Sequence, residues 1–213
     1  MPTTTELTEE YIKKHPSIKD CLKKGLINYS ALSRLVAADL GVSNSKKSTN
    51  EAILIAARRF KDKLKNEAIN EDKIVALLKE TEFEIKTKTV VVVIEKLLFP
   101  ERLLDLQKEI KRKRDLFHVI EGTRAIIVIT SEKYLRDLKK SFRTNILSVT
   151  TELVSLVMQS SKKIETTPGV MAYVYSLFGE NGINICETLS CWTDTIIVIH
   201  ENDLAKAMTV LKF

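Results

Sequence analysis

Thr167-Pro168-Gly169-Val170-Met171-Ala172-Tyr173-Val174-Tyr175-Ser176-Leu177-Phe178, followed by Gly182-Ile183-Asn184-Ile185, is the stretch on which the fold turns. Pro168 fits a first helical turn, where its missing N–H would be unpaired anyway. Gly182 lets the helix end and the chain pass directly into a strand. Working outward, 153–159 reads as a strand, Pro168 to Glu180 as a helix, 183–189 and 195–200 as strands, and Asp203 to Leu211 as a helix.

The same order is read once before. Thr89 to Glu95 is β-branched and apolar, as a central strand should be. Pro100 opens a helix with Leu103, Leu104, Leu106 and Ile110 on one side. Strands 116–121 and 124–130 flank Gly122-Thr123, a two-residue spacing that predicts a tight hairpin. Ser131 then caps a helix carrying Tyr134, Leu135, Leu138 and Phe142, and 146–149 is a strand. Two successive units of this kind predict an α+β chain with tandem ferredoxin-like (βαββαβ) modules and antiparallel sheets, at 83–151 and 152–213. No strand follows Leu211, so the second sheet is expected to expose an edge that another chain would cover.

Residues 1–82 have a helical period. Pro16 and Gly25 bracket Ser17 to Lys24, and Asn28 caps Tyr29 to Leu40, on which Leu32, Leu35, Val36 and Leu40 form one apolar stripe. Gly41 stops that helix. Ser48 and Glu51 are spaced as a capping box for a third helix with Ile53, Ala56, Ala57, Phe60 and Leu64 inward. Asn70 caps a fourth carrying Ile74, Leu77 and Leu78. The expected domains are therefore 1–82, 83–151 and 152–213.

Composition limits function. With 44% hydrophobic and 29% charged residues the chain is of ordinary soluble type, and its apolar runs are too short to span a bilayer. The polar start, Met1 to Tyr11, lacks the pattern of a secretory signal, and a cytoplasmic protein with no membrane partner is expected. Cys21, Cys186 and Cys191 are scattered, and His15, His118 and His200 lie far apart, so neither a disulfide framework nor a metal site is indicated. No Gly-rich phosphate loop occurs. Glu180, Glu187, Asp194 and Glu201 lack a His or Cys partner at a telling spacing, so no catalytic residues and no cofactor are assigned, and the chain is read as a non-enzyme.

The net charge of +6 is uneven: Lys+Arg against Asp+Glu is 17 to 13 over residues 1–88, 13 to 8 over 89–151, and 4 to 7 over 152–213. An anionic partner would therefore meet the first two thirds. In the third helix Asn50, Leu54, Arg58, Lys61 and Lys65 fall roughly on one face, beside Lys46 and Lys47, a stripe suited to phosphates if the unit is helix-turn-helix-like. The opposing reading is a helical interaction or dimerisation module, because the loop from Gly41 to Lys47 is long and Leu54 and Ile55 call for neighbours.

The Pro-Gly-Val and Gly-Ile-Asn-Ile pair, with Thr193-Asp194-Thr195-Ile196-Ile197-Val198-Ile199, resembles the ACT domains found as regulatory halves of aspartate kinases and other amino-acid biosynthetic enzymes. The resemblance covers 153–211; residues 84–150 share only the order of elements. It implies a small-molecule effector, an amino acid above all, held where the loop before the helix and the strand after Gly182 meet a neighbouring domain. On these positions it implies binding by Ser161, Thr166, Thr167, Gly169, Val170, Asn184 and Ile185, and a homo-oligomer formed through the sheets. Asn184 is expected beside the loop from Ser160 to Gly169. A glycine and free N–H groups at a helix start suit a carboxylate. Lys162 and Lys163 depart from the family pattern, and no kinase catalytic domain precedes the modules. A helix-turn-helix joined to such a module is similar in layout to the leucine-responsive, feast-or-famine regulators. The chain is accordingly expected to be an allosteric regulator acting through DNA or, alternatively, a detached regulatory subunit of a biosynthetic enzyme with no DNA binding.

Overall fold

The computed structural model describes residues 2–41, 47–64, 69–96 and 101–213, with backbone alone at 47–48 and 69–70. The chain divides into two compact units, Met1–Asp72 and Lys73–Phe213.

The first unit is helical. A reciprocal capping box between Thr3 and Glu6 starts α1 (Thr4–Lys14). Pro16 is the first residue of α2 (Pro16–Lys24), and Gly25, left-handed at φ 72°, closes it. The Asn28 side chain accepts from Ser30 and Ala31 N–H at the head of α3 (Tyr29–Asp39). Helix α4 (Lys47–Leu64) begins one residue before Ser48, whose side chain lies outside those described. Its Ile53, Ala57, Phe60 and Leu64 pack with Tyr11, Ile12, Leu22, Leu32, Val36 and Ala37. Tyr11 donates to Asp39 at 2.5 Å, a bond that, ahead of burial, pushes its phenol up to about 12. Leu35 departs from the predicted stripe: only Leu32, Ser33, Val36 and Ala37 of α3 are buried, and Leu35 is 47% exposed.

The second unit begins within α5 (Ile69–Lys79), whose Ile74, Leu77 and Leu78 belong to its core. Helix α5 starts at Ile69, so Asn70 lies inside the helix, two residues past the position a cap would take. Strands β1 (Glu82–Glu95), β2 (Phe117–Glu121), β3 (Ala125–Ser131), β4 (Ile146–Gln159), β5 (Ile185–Cys191) and β6 (Asp194–His200) form one antiparallel sheet in the order β2-β3-β1-β4-β6-β5. The predicted helices appear as α6 (Glu101–Arg112), α7 (Leu135–Phe142), α8 (Val170–Glu180) and α9 (Leu204–Val210). Pro100 lies outside the described residues. The β2–β3 turn is closed by Gly122 N–H on the Ala125 carbonyl at 2.9 Å, which puts Thr123 and Arg124 at its centre, one residue later than predicted.

Two expectations are corrected. First, 146–149 and 153–159 are not separate strands of separate sheets; they are the two ends of β4, fourteen residues long. Strand β1 is equally long and begins at Glu82. Each carries a non-glycine residue at positive φ near its middle, Lys88 at 53° and Glu152 at 58°, where the register between the two strands shifts. Such a residue adds a kink that re-aims the strand, and each half of β1 and β4 thereby serves a different module. Second, the edge expected after Leu211 is filled from within the chain. Glu82 to Lys86 pair with Gln159 to Ser155 and take the place of a fourth strand beside β4-β6-β5.

Alternation along the strands sorts the cores. One face packs under helices as two clusters: Val90, Val92, Ile94, Ile126 and Val128 with Leu103, Ile110, Leu138 and Phe142, and Val154, Leu156, Met158, Ile197 and Ile199 with α5, α8 and α9. The other face is apolar as well, gathering Val91, Ile129, Leu153, Val157, Ile196 and Val198 from both halves of the sheet. Strands buried on both faces read as continuous β-branched runs, which is why 90–94 and 196–199 do.

Candidate functional site

The loop from β4 to α8 is built from its own hydrogen bonds. Ser160 N–H donates to the Thr193 carbonyl at 2.9 Å, and its hydroxyl lies 3.1 Å from that of Thr81. A 3-10 turn, Lys162–Thr166, follows. The Thr167 and Thr166 hydroxyls both donate to the Lys163 carbonyl, at 2.7 and 3.3 Å, so both threonines are oriented by the loop itself. The Ser161 hydroxyl is buried and has no hydrogen-bond partner among the described residues.

Gly169 stands at φ 92°, ψ −3°, as the cap of α8, with no side chain to satisfy the first N–H groups of the helix. A Cβ built on it would lie 3.4 Å from Ile74 Cδ1, so α5 lies against this turn. Val170 is buried, and Ile185 packs against the same core partly buried; what Val170 offers a ligand is its backbone. Asn184 is exposed.

These residues form two groups rather than one. Helix α8, eleven residues long, separates Gly169 from Asn184 by roughly 16 Å. The strand register agrees: Gln159, just before the loop, pairs with Asp194 at one end of β6, whereas Ile185 pairs with Ile199 at the other. Asn184 is therefore not beside the loop from Ser160 to Gly169, as the sequence led us to expect. Ser161, Thr166, Thr167 and Gly169 lie at one end of the module and Asn184 with Ile185 at the other.

The loop end has neighbours that motif reading missed. Trp192, the sole tryptophan, is 62% exposed at φ 55° in the β5–β6 turn, with Lys162 Nζ 5.2 Å from its ring centre. Lys163 reaches Glu80 at 3.7 Å. At the other end, burial raises the Glu187 carboxyl above its ordinary range and raises the Cys186 thiol, to which the charges of Glu187 and Asp203 add. Among the described residues no group of three or more His, Cys, Asp or Glu is placed to hold a metal, and no helix is long and apolar enough to cross a membrane.

Of the basic stripe on α4, Lys46 and Lys65 lie outside the described residues and the side chain of Lys47 is not described. Asn50, Leu54 and Lys61 are half-buried and Arg58 is exposed. The Arg58 guanidinium sits 5.3 Å over the Tyr29 ring, and Lys61 Nζ is 3.1 Å from where a Cβ of Gly25 would be. Neither forms an ion pair with a described carboxylate.

Residues 149–212 match the family model of the ACT domain. No curated protein matches the chain. Among solved structures, aspartate kinase from Clostridium acetobutylicum aligns at TM-score 0.51 and 13% identity over 61% of this chain and 33% of that one. The regulatory subunit of aspartate kinase from Thermus thermophilus, in a ligand-free form, aligns at TM-score 0.48 and 9% identity, covering 61% and 92%. The aspartate kinase of Synechocystis gives 0.47 and 15%, covering 61% and 26%. This chain thus spans about a third of the length of the clostridial kinase, and at these identities the likeness is one of fold. Residues 149–212 thus match the ACT domain model, and over 61% of the chain the fold is similar to part of an aspartate kinase.

Proposed function

We propose that this chain is a non-catalytic, cytoplasmic regulator whose ACT modules take up a small metabolite, an amino acid above all, and pass the liganded state to the helical unit. The observation that carries the reading is the contact of α5 with the Gly169 turn. A carboxylate received by the α8 N–H groups would arrive where Ile74 already packs, and α5 leads back along the chain to the helical unit. A ligand that prefers one position of α5 would bias that helix by its differential affinity for the two positions.

The two groups of candidate residues bear on assembly. Ser161, Thr166, Thr167, Gly169 and Val170 are too far from Asn184 and Ile185 for one small ligand to touch both within a chain. A ligand engaging both groups would join two copies, one giving the loop and the other the strand after Gly182, which fits a homo-oligomer formed through the sheets.

Titration calorimetry of the full chain against the twenty amino acids, with light scattering on the same samples, tests this. One amino acid is expected to bind and to shift the oligomer, and Gly169→Val to abolish both. If none of the twenty binds the folded protein, the modules serve only as paired sheets, and a detached regulatory or interaction subunit becomes the better reading.

A further inference from the structure

A feature of the helical unit stands apart from the ACT modules: a groove of about 490 Å³ between α2 and α3, lined by Ile18, Cys21, Leu26, Ile27, Ala31 and Leu35 among others. The groove is open to solvent rather than enclosed. Leu26 is 75% exposed at its mouth and Leu35 47%.

Leu26 does not face water because its loop is loose. Its N–H donates to the Cys21 carbonyl at 2.9 Å and that of Gly25 to Leu22 at 3.2 Å, the paired bonds that lock a helix end around a left-handed glycine. The following residues are fixed by the Asn28 cap. An apolar anchor held rigidly in solvent, beside a preformed slot, is arranged to be covered at little ordering cost.

The charge around the slot says what covers it. Among the cations of residues 13–35, Lys14 is already paired with Glu10 and Lys24 with Asp20 and Glu71, so the loop end decides. At the loop end Lys61 lies over Gly25 and Arg58 over Tyr29, neither in an ion pair with a described carboxylate. A second copy of the same surface would set like charges against each other. Nucleic acid would answer the cations but leave Leu26 and Leu35 without a partner.

We propose that the α2–α3 groove is a docking site for an amphipathic helix of a partner protein, with leucine-type side chains on one face and carboxylates at the end that meets Arg58 and Lys61. Fluorescence anisotropy of the full chain with a designed sixteen-residue helical peptide tests it, the peptide bearing leucines at i, i+3, i+4 and i+7 and glutamates toward one end. A charge-inverted copy with lysines is the control. The acidic peptide is expected to bind at least ten-fold more tightly than its inverse. Leu26→Glu and Leu35→Glu, both at exposed positions and so compatible with folding, are expected to weaken it ten-fold or more. Arg58→Glu with Lys61→Glu is expected to weaken it several-fold and flatten its salt dependence. Equal binding of both peptides, no binding of either, or indifference to Leu26→Glu overturns the proposal. So does self-association abolished by Leu35→Glu, which would assign the groove to a second copy. Duplex DNA that competes through Arg58 and Lys61 but not through Leu26 would overturn it in favour of nucleic acid.

Discussion

Leu78→Ala tests whether α5 belongs to the ACT unit. Leu78 is 1% exposed and packs in the cluster that holds Leu156, Phe178 and Ile197, not in the helical cluster. Truncating a buried leucine removes its transfer free energy and leaves a cavity, about 2–5 kcal/mol in all. Against an ordinary domain stability of about 5–15 kcal/mol that is a large fraction. With a urea dependence of about 1–3 kcal/mol/M, the unfolding midpoint should fall by roughly 1–2 M. The readout is local, because Trp192 is the sole tryptophan and lies in the β5–β6 turn of the ACT module. Urea unfolding of the full chain, followed by Trp192 fluorescence, is the assay, with Leu156→Ala as the reference for a core truncation and Leu22→Ala, buried in the helical cluster, for the other unit. Leu78→Ala should move the Trp192 transition as Leu156→Ala does. A midpoint unchanged within about 0.3 M, roughly what 0.5 kcal/mol would give, refutes the assignment of α5 to the ACT core.

Burial, and after it the charge of Lys111, lowers the His118 pKa below its usual 6.5, so the fold favours the neutral ring. Its contribution is present above pH 6.5 and lost as pH falls through that value toward the folded one, so Tm should drop between pH 7 and 5.5, and less so in His118→Asn; identical slopes in the two proteins would disprove it. Ser155 is fully buried with an unpartnered hydroxyl beside apolar strands, so Ser155→Ala should leave stability unchanged or raise it by up to about 1 kcal/mol, read by thermal unfolding; a loss above that would mean the hydroxyl has a partner. Gly25→Ala forces a side chain to φ 72° next to Lys61 and should cost about 1–2 kcal/mol, measured by urea unfolding under circular dichroism, whereas a neutral result would show that the α2 end can relax.

Most elements were legible because their cues are local. Pro16, Gly25 and Asn28 did act as start, stop and cap, and the β-branched runs at 90–94 and 196–199 mark strands buried on both faces. The first half of β1 was missed although its alternation was visible: Phe83 and Ile85 alternate with Glu82, Glu84 and Lys86, a pattern weaker than the apolar run after it, and of the two only Phe83 is partly buried. Its role was not visible at all, because pairing Glu82–Lys86 with 155–159 is a contact between residues about seventy positions apart. Nor did the kinks announce themselves: Lys88 and Glu152 adopt positive φ where a glycine would be the expected sign. At the site, the Thr167-Pro168-Gly169 turn was found where its residues put it. Its distance from Asn184 was misjudged because neighbours across a helix in sequence are a helix length apart in space.

The most direct test of the account is calorimetric titration of the full chain with the twenty amino acids, repeated on Gly169→Val. At least one amino acid should bind with a stoichiometry set by the ACT modules, and Gly169→Val, which forces a branched side chain to φ 92° against Ile74, should lose that binding while the chain stays folded. Absence of heat with every amino acid, or binding that Gly169→Val leaves intact, would contradict the central claim.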